Sequence, residues 1–184
     1  MSLEFETLRK RTNVRWVVQI VLVSIAASMV FTLAAAGILN RAGFIVSFAV
    51  LAVFIALGIV FDMIGIAVAA AVEAPFHSMA VHREQGAEES LRLIKNADKV
   101  TSFCNDVVGD VSGIISGATA ALIAARLMEG LSTESILVSL LISGAVTGLT
   151  VGGKAVGKTF AFKRSTKIVL RVGKLIRVFH IKRG

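Results

Sequence analysis

The chain has 184 residues, of which 55% are hydrophobic, with a mean hydropathy of +0.81 and a single proline. This composition excludes an ordinary soluble domain, whose apolar segments would be interrupted by polar faces and turns. The net charge of +8 would suit a nucleic-acid-binding protein, but the basic residues are confined to short segments between long apolar ones. We therefore expect a membrane protein that contacts lipid and no nucleic acid.

Four apolar segments each predict a transmembrane helix, because crossing about 30 Å of hydrocarbon takes roughly 20 apolar residues. In chain order they are residues 16–39, 44 to about 72, 107–125 and 135–151. The predicted fold is an all-α integral membrane protein with four transmembrane helices, a cytoplasmic helical loop and a C-terminal basic amphipathic helix.

The first segment follows the basic residues Arg9, Lys10 and Arg11, as the apolar part of a signal peptide would. It is longer than the roughly 7 to 15 residues of such a part, and no small-x-small cleavage site precedes the second segment. We expect an uncleaved helix, so that residues 1–43 form a basic segment and an additional transmembrane helix.

The second segment contains Asp62 and would be about 45 Å long as a straight helix, more than the hydrocarbon requires. Gly65 follows Asp62 and Pro75 ends the apolar pattern, which predicts a bend or an unwound stretch from Gly65 onward. Residues 78–100 are polar, with charges three to four residues apart, and predict one short solvated helix in the loop.

The basic residues alternate with the membrane crossings and so predict an orientation. They lie before the first helix, between the second and third, and after the fourth. Of the other two connections, the first carries only Arg41, and the second carries Arg126 together with Glu129 and Glu134. The positive-inside rule therefore places both termini and residues 75–105 in the cytoplasm. The expected location is the cytoplasmic (inner) membrane, crossed several times.

Glycines recur four residues apart on the third and fourth segments, at Gly109, Gly113 and Gly117 and at Gly144, Gly148 and Gly152. Small residues at this spacing let helices approach closely in lipid. They predict tight packing within one chain or across a homodimer.

Residues 162–184 predict a basic amphipathic helix on the membrane surface. Basic residues recur at three- to four-residue steps between apolar ones, at Lys163, Arg164, Lys167, Arg171, Lys174 and Arg177. Each basic residue near an anionic leaflet adds about 1 kcal/mol of attraction. Lys167, Arg171 and Lys174 are the predicted lipid-binding residues.

The run GGKAVGKT, residues 152–159, matches the phosphate-binding pattern G-x-x-x-x-G-K-[ST]. Its context does not match, since a phosphate-binding loop follows a sheet strand whereas this run follows a membrane helix. His77, His82 and His180 are too scattered for a metal-ligand pattern. We therefore expect that the protein is not an enzyme.

Three carboxylates in or beside the apolar segments carry the functional hypothesis: Asp62, Asp106 and Asp110. An ionised group in hydrocarbon is costly and usually lines an ion path, pairs with another charge or faces water. Asp106 and Asp110 lie one turn apart on one helix face, about 6 Å along the axis. Glu73 points the same way as Asp62 on a regular helix but lies about 16 Å farther along it.

Asp62, Asp106, Asp110 and Lys154 are all expected near the inner membrane boundary, and two interpretations follow. In the first, the carboxylates are oxygen ligands of a hard divalent cation, assisted by Asn105. In the second, they form a structural cluster in which Lys154 neutralises a carboxylate. A direct pair between Lys154 and a carboxylate favours the second interpretation, and an open wet cavity favours the first.

From residue 44 to about residue 176 the order of segments resembles the transmembrane domain of the CNNM/CorB/CorC magnesium transporters. The resemblance is carried by residues 72–75 (VEAP), 104–109 (CNDVVG) and 153–161 (GKAVGKTFA). It implies a dimeric helical domain over residues 44–161 that transports magnesium. The 184 residues hold no counterpart of the cytoplasmic CBS domains of that family, so we expect a divergent relative without built-in nucleotide regulation.

The chain differs from the family at four positions of the polar signature. Val72 stands in place of a serine, Gly109 of an asparagine, Lys154 of a glutamate and Gly157 of a proline. Two alternatives follow from these differences. Either Asp106 and Asp110 replace the lost ligands, or the fold is kept without the ion site.

The leading hypothesis is a homodimer that binds and transports a divalent cation, first of all Mg²⁺, through an inward-facing acidic cavity. The predicted site consists of the ligands Asp62, Asp106 and Asp110, the neutral ligand Asn105, Glu73 as a gate or second site, and Lys154 as counter-charge. The alternative is a non-transporting membrane scaffold or regulatory subunit with a degenerate ion site and an unidentified protein partner.

Overall fold

The computed structural model describes residues 14–39, 43–131 and 136–181, and every element within these ranges is helical. The helices are α1 (Val14–Leu39), α2 (Phe44–Ala70), α3 (Glu73–Val81), α4 (Ala87–Lys95), α5 (Ala97–Ser102), α6 (Asp110–Leu131), α7 (Ile136–Lys163) and α8 (Ser165–Ile181). A π-helical segment, Phe103–Gly109, joins α5 to α6. The predicted all-α class is confirmed, whereas the predictions for residues 9–11, 40–42, 132–135 and 182–184 lie outside the described residues.

Four helical stretches are long and apolar enough to cross a membrane: Trp16–Ile38, Phe44–Ala70, Ala97–Gly130 and Ile136–Lys163. The prediction of four membrane-spanning helices is thereby confirmed in length and composition. The third stretch is longer than predicted because α5 and the π-helical segment extend α6 at its N-terminal end. The fourth is longer because no proline interrupts residues 151–163, and the helix continues through the run that matches the phosphate-binding pattern.

Helix α2 lies at the centre of the bundle. It packs against α6 and α7, and also against the π-helical segment and α8. Leu51 of α2 is buried together with Ile123 of α6 and Val146 of α7. Helix α1 joins the bundle from one side, where Ala35 is buried against Val111 of α6. Asp62 therefore lies on the central helix, and Asn105, Asp106, Asp110 and Lys154 lie on segments that contact it.

The chain leaves α2 by a sharp break. Ala71 and Val72 are extended, each with ψ 137°. Helix α3 begins at the next residue, with Pro75 in its first turn, where the backbone N–H has no helical partner to lose. The predicted bend thus lies at residues 71–72, while Gly65 stays inside the regular helix.

Residues 78–100 do not form the single helix predicted for them. They contain the end of α3, a turn, α4 and the start of α5. Gly86 in the turn adopts φ 83°, a left-handed conformation that favours glycine. A side chain at Gly86 would also meet the backbone of α8 at Gly173 and Lys174. This glycine therefore both forms the turn and lets α8 pack closely against it.

Helix α8 packs on the protein through its apolar face. Ile168 and Val169 are buried together with Val68 of α2 and Phe76 of α3. Ser90 Oγ of α4 donates a hydrogen bond to the Val169 carbonyl at 3.2 Å. The helix predicted to rest on the membrane surface by this apolar face is therefore part of the folded body.

Candidate functional site

Three charged side chains from different helices meet beside the π-helical segment. Lys154 Nζ of α7 lies 3.0 Å from Asp62 Oδ2 of α2 and 4.0 Å from Asp110 Oδ1 at the start of α6. The same ammonium group donates a hydrogen bond to the Gly109 carbonyl at 3.4 Å. We call Asp62, Lys154 and Asp110 the ion cluster.

The members of the ion cluster differ in burial. The side chain of Asp62 is 8% exposed and that of Lys154 is 20% exposed, whereas that of Asp110 is 71% exposed. Desolvating a buried ion costs several kcal/mol, which attraction to its partner and further hydrogen bonds must offset. The Gly109 carbonyl supplies such a bond to Lys154. With all three groups ionised, two carboxylates against one ammonium leave one negative charge in excess.

Close helix approach at glycines brings these side chains together. Asp62 Oδ1 lies directly against Gly109, in the space that a Cβ atom would fill. Gly58, one turn before Asp62, lies close to the Gly109 carbonyl, and Gly153 of α7 lies directly against α2. Because these residues carry no side chain, the helices approach closely enough for Lys154 to reach Asp62.

The π-helical segment forms one wall of the site. The backbone N–H of Asp110 donates to the Asn105 carbonyl five residues earlier. This pattern corresponds to one extra residue in an α-helix and is frequent at functional sites. Beyond the site, Thr101 Oγ1 of α5 donates to the Gly65 carbonyl at 3.1 Å and so ties α5 to α2.

Two buried oxygen atoms that face α2 have no hydrogen-bond partner among the described residues: Asn105 Oδ1 and Ser112 Oγ. Asn105 lies directly against Gly65, and Ser112, which is 0% exposed, lies against Gly58. Buried polar atoms are normally hydrogen-bonded, so these two mark the least satisfied part of the site. The sequence prediction includes Asn105 but not Ser112. In the sequence, Ser112 stands out only as one of several small residues on its helix, which predicts close packing.

The structure brings some predicted site residues together and leaves others apart. Asp62, Asp110 and Lys154 meet, and Asn105 lies in the adjoining helical turn of the π-helical segment. Asp106 is exposed, and within the described ranges no ion pair includes it. Glu73 is separated from Asp62 by the break at residues 71–72 and instead lies beside His77 on α3, with its Oε2 atom 3.5 Å from the imidazole Nε2.

The ion cluster does not fit a divalent cation in this arrangement. Mg²⁺ takes oxygen ligands at near-octahedral positions, but here the Lys154 ammonium lies between the carboxylates of Asp62 and Asp110. Among the described residues, no group of three or more His, Cys, Asp or Glu side chains is placed to hold a metal ion.

A second feature is an apolar groove between α2 and α7. It has a volume of about 560 Å³ and is lined by residues that include Ile59 and Met63 of α2 and Gly148 and Gly152 of α7. A side chain at Gly144, Gly148 or Gly152 would meet no atom within 4 Å. The glycine face predicted on α7 is thus open, whereas Gly153 and Gly157 on the same helix pack against Ile59.

Comparisons with known proteins do not assign the chain to a family. No family model matches it, and no curated protein or solved structure matches it. The resemblance to the CNNM/CorB/CorC transporters therefore stays a prediction carried by residues 72–75, 104–109 and 153–161.

Proposed function

We propose that this protein is a non-transporting membrane scaffold or regulatory subunit, in which Lys154 serves as the fixed cation of the ion cluster. The observation that carries this proposal is the 3.0 Å contact between Lys154 Nζ and the buried Asp62 Oδ2. A transport site has to present its carboxylates to an incoming ion. Here an ammonium group attached to α7 already neutralises Asp62.

The ion cluster supports a structural role because it connects three parts of the bundle. Lys154 belongs to α7, Asp62 to α2, and Asp110 with the Gly109 carbonyl to the junction of the π-helical segment and α6. Removing one member of a buried ion pair leaves an uncompensated charge, so the pair disfavours any arrangement of these helices that separates them. A membrane scaffold needs such a fixed arrangement.

The decisive experiment is thermal unfolding of the detergent-purified protein with Mg²⁺, Mn²⁺, Ca²⁺ or Co²⁺ at constant ionic strength. A ligand that binds only the folded state raises stability by mass action, by about 2.7 kcal/mol at a hundredfold excess over Kd. We expect no saturable rise for the unmodified protein, because Lys154 occupies the place between the carboxylates.

The variants Lys154→Met and Asp62→Asn complete this experiment. A saturable response that appears only in Lys154→Met would support the idea that the ammonium stands in for a cation. A saturable response of the unmodified protein that Asp62→Asn abolishes would contradict the proposal.

Transport of a divalent cation such as Mg²⁺ is the second candidate function. It is favoured by the unpartnered oxygens of Asn105 and Ser112, which lie against Gly65 and Gly58 of the helix that carries Asp62, and by the excess negative charge of the ion cluster. This function requires Lys154 to leave Asp62 when an ion enters. The cation response just described decides between the two candidates.

A further inference from the structure

The corner between α7 and α8 carries an exposed basic surface. It consists of Lys163, Arg164, Lys167 and Arg171, which we call the basic corner; all four residues are exposed, and none has an ion pair in the part of the chain that the structure describes. By contrast, Lys174, predicted to bind lipid with Lys167 and Arg171, pairs with Glu84 at 3.4 Å. The basic corner is therefore a positive surface whose charges form no ion pair with the described acidic residues.

The basic corner faces away from the protein core. At 100° per residue, positions 167 and 171 of an α-helix point within about 40° of each other, and position 169 lies about 160° away from each of them. Val169 is fully buried in the core cluster with α2 and α3. Lys167 and Arg171 therefore project from the side of α8 opposite its packed face.

Aromatic side chains accompany the basic residues at this end of the bundle. The Arg164 guanidinium lies 5.2 Å from the centre of the Phe160 ring, and Phe162 in the last turn of α7 is 64% exposed. The Lys99 ammonium lies 5.7 Å from the centre of the Trp16 ring at the start of α1. Trp at the end of a spanning helix is typical of the membrane–water interface, so Trp16 marks that interface at this end of the bundle.

We propose that the basic corner binds the headgroups of anionic phospholipids in the leaflet at this end of the bundle. The guanidinium groups of Arg164 and Arg171 can donate paired hydrogen bonds to phosphate oxygens, and the lysines add positive charge. The exposed rings of Phe160 and Phe162 contact the upper part of the acyl chains. This binding does not depend on whether the ion cluster holds a cation.

The test uses the full chain in mixed micelles with increasing phosphatidylglycerol or, separately, phosphatidylcholine, with thermal stability as the readout. We expect a saturable rise with phosphatidylglycerol only, weakened by added salt because the attraction is electrostatic. The variant Lys167→Gln/Arg171→Gln should weaken the apparent affinity about 25-fold, since each basic residue near an anionic surface contributes roughly fivefold.

The matched control is Arg92→Gln/Lys95→Gln, which removes the same charge from exposed positions of α4 and should change the apparent affinity less than about twofold. An equal loss in both variants would overturn the proposal, because net charge alone would then explain the effect. An equal response to phosphatidylcholine would also overturn it. A short DNA duplex or an acidic peptide that stabilises the protein as well as phosphatidylglycerol would assign the basic corner to a soluble partner instead.

Discussion

At the scale of single residues, the contact that matters most is the one between Lys154 and Asp62. Replacing Lys154 by Met leaves the buried Asp62 carboxylate without its ammonium partner, and breaking a buried ion pair in this way costs about 3 to 5 kcal/mol. We therefore expect Lys154→Met to lower the free energy of unfolding in detergent by that amount. The exposed Lys158, one turn along α7, provides the control, and Lys158→Met should change stability by less than about 0.5 kcal/mol.

The double variant Asp62→Asn/Lys154→Met removes both charges and should recover most of the lost stability, because an uncharged pair of similar size is often tolerated in place of a buried ion pair. The free energies of unfolding of the unmodified protein, Asp62→Asn, Lys154→Met and the double variant together give the coupling energy between the two side chains. Additive effects of the two substitutions would show that the 3.0 Å contact contributes nothing specific to folding.

The sequence allowed only part of this site to be predicted. Asp62 and Lys154 could be placed at one depth, because residue spacing along a transmembrane helix gives depth directly. The separation of Glu73 from Asp62 also followed from residue spacing, but the exact position of the break at residues 71–72 and the contact of Glu73 with His77 did not. Ser112 has an unpartnered oxygen only because of its position in three dimensions, and its sequence surroundings predict no more than close packing.

At the scale of helices, the glycines of α7 divide into two groups with different roles. Gly148 lines the open groove and has no atom within 4 Å of its missing side chain, whereas Gly153 lies directly against Ile59. We expect Gly148→Leu to leave the free energy of unfolding nearly unchanged. Gly153→Leu should destabilise the protein by about 1 to 3 kcal/mol, because overpacking forces neighbouring side chains to move.

The same pair of variants tests the predicted homodimer. If two chains pack through the groove, Gly148→Leu fills it and should shift the protein from dimer to monomer in light scattering of the detergent complex. Gly153→Leu acts within the chain, and the population that stays folded should associate normally. Unchanged association of Gly148→Leu would exclude this face of α7 as the dimer contact.

At the scale of the whole molecule, the four crossings and the distribution of basic residues predict which side each loop occupies. An even number of crossings would return the chain to the side from which it started, and the positive-inside rule predicts that this side is the cytoplasm. Cys104 is buried and is the single cysteine, so Cys104→Ala provides a cysteine-free background. In this cysteine-free background, a cysteine introduced by Glu88→Cys, between the second and third crossings, should react with a membrane-impermeant thiol reagent only after the cells are opened.

The matching position is Thr133→Cys, in the connection between the third and fourth crossings, which should react with the same reagent in intact cells. The reverse labelling pattern would contradict the predicted orientation. It would also place the basic corner at the opposite leaflet.

Most of the architecture was predictable because the bilayer restricts the possible folds. Within hydrocarbon every backbone polar group needs an internal partner, so long apolar segments predict helices reliably. The packed position of α8 was not predictable in this way. A helix with one apolar face can cover lipid or protein equally well, and only the neighbouring surface of Val68 and Phe76 determines that it covers protein.

The π-helical segment, Phe103–Gly109, makes this part of the protein sensitive to the deletion of a single residue. Deleting one codon there would restore an uninterrupted α-helix and rotate α5 by about 100° relative to α6. Thr101 would then lose its bond to the Gly65 carbonyl, and Asn105 would leave its place beside Gly65. A length change of a single residue can therefore remove this wall of the site without any amino-acid substitution.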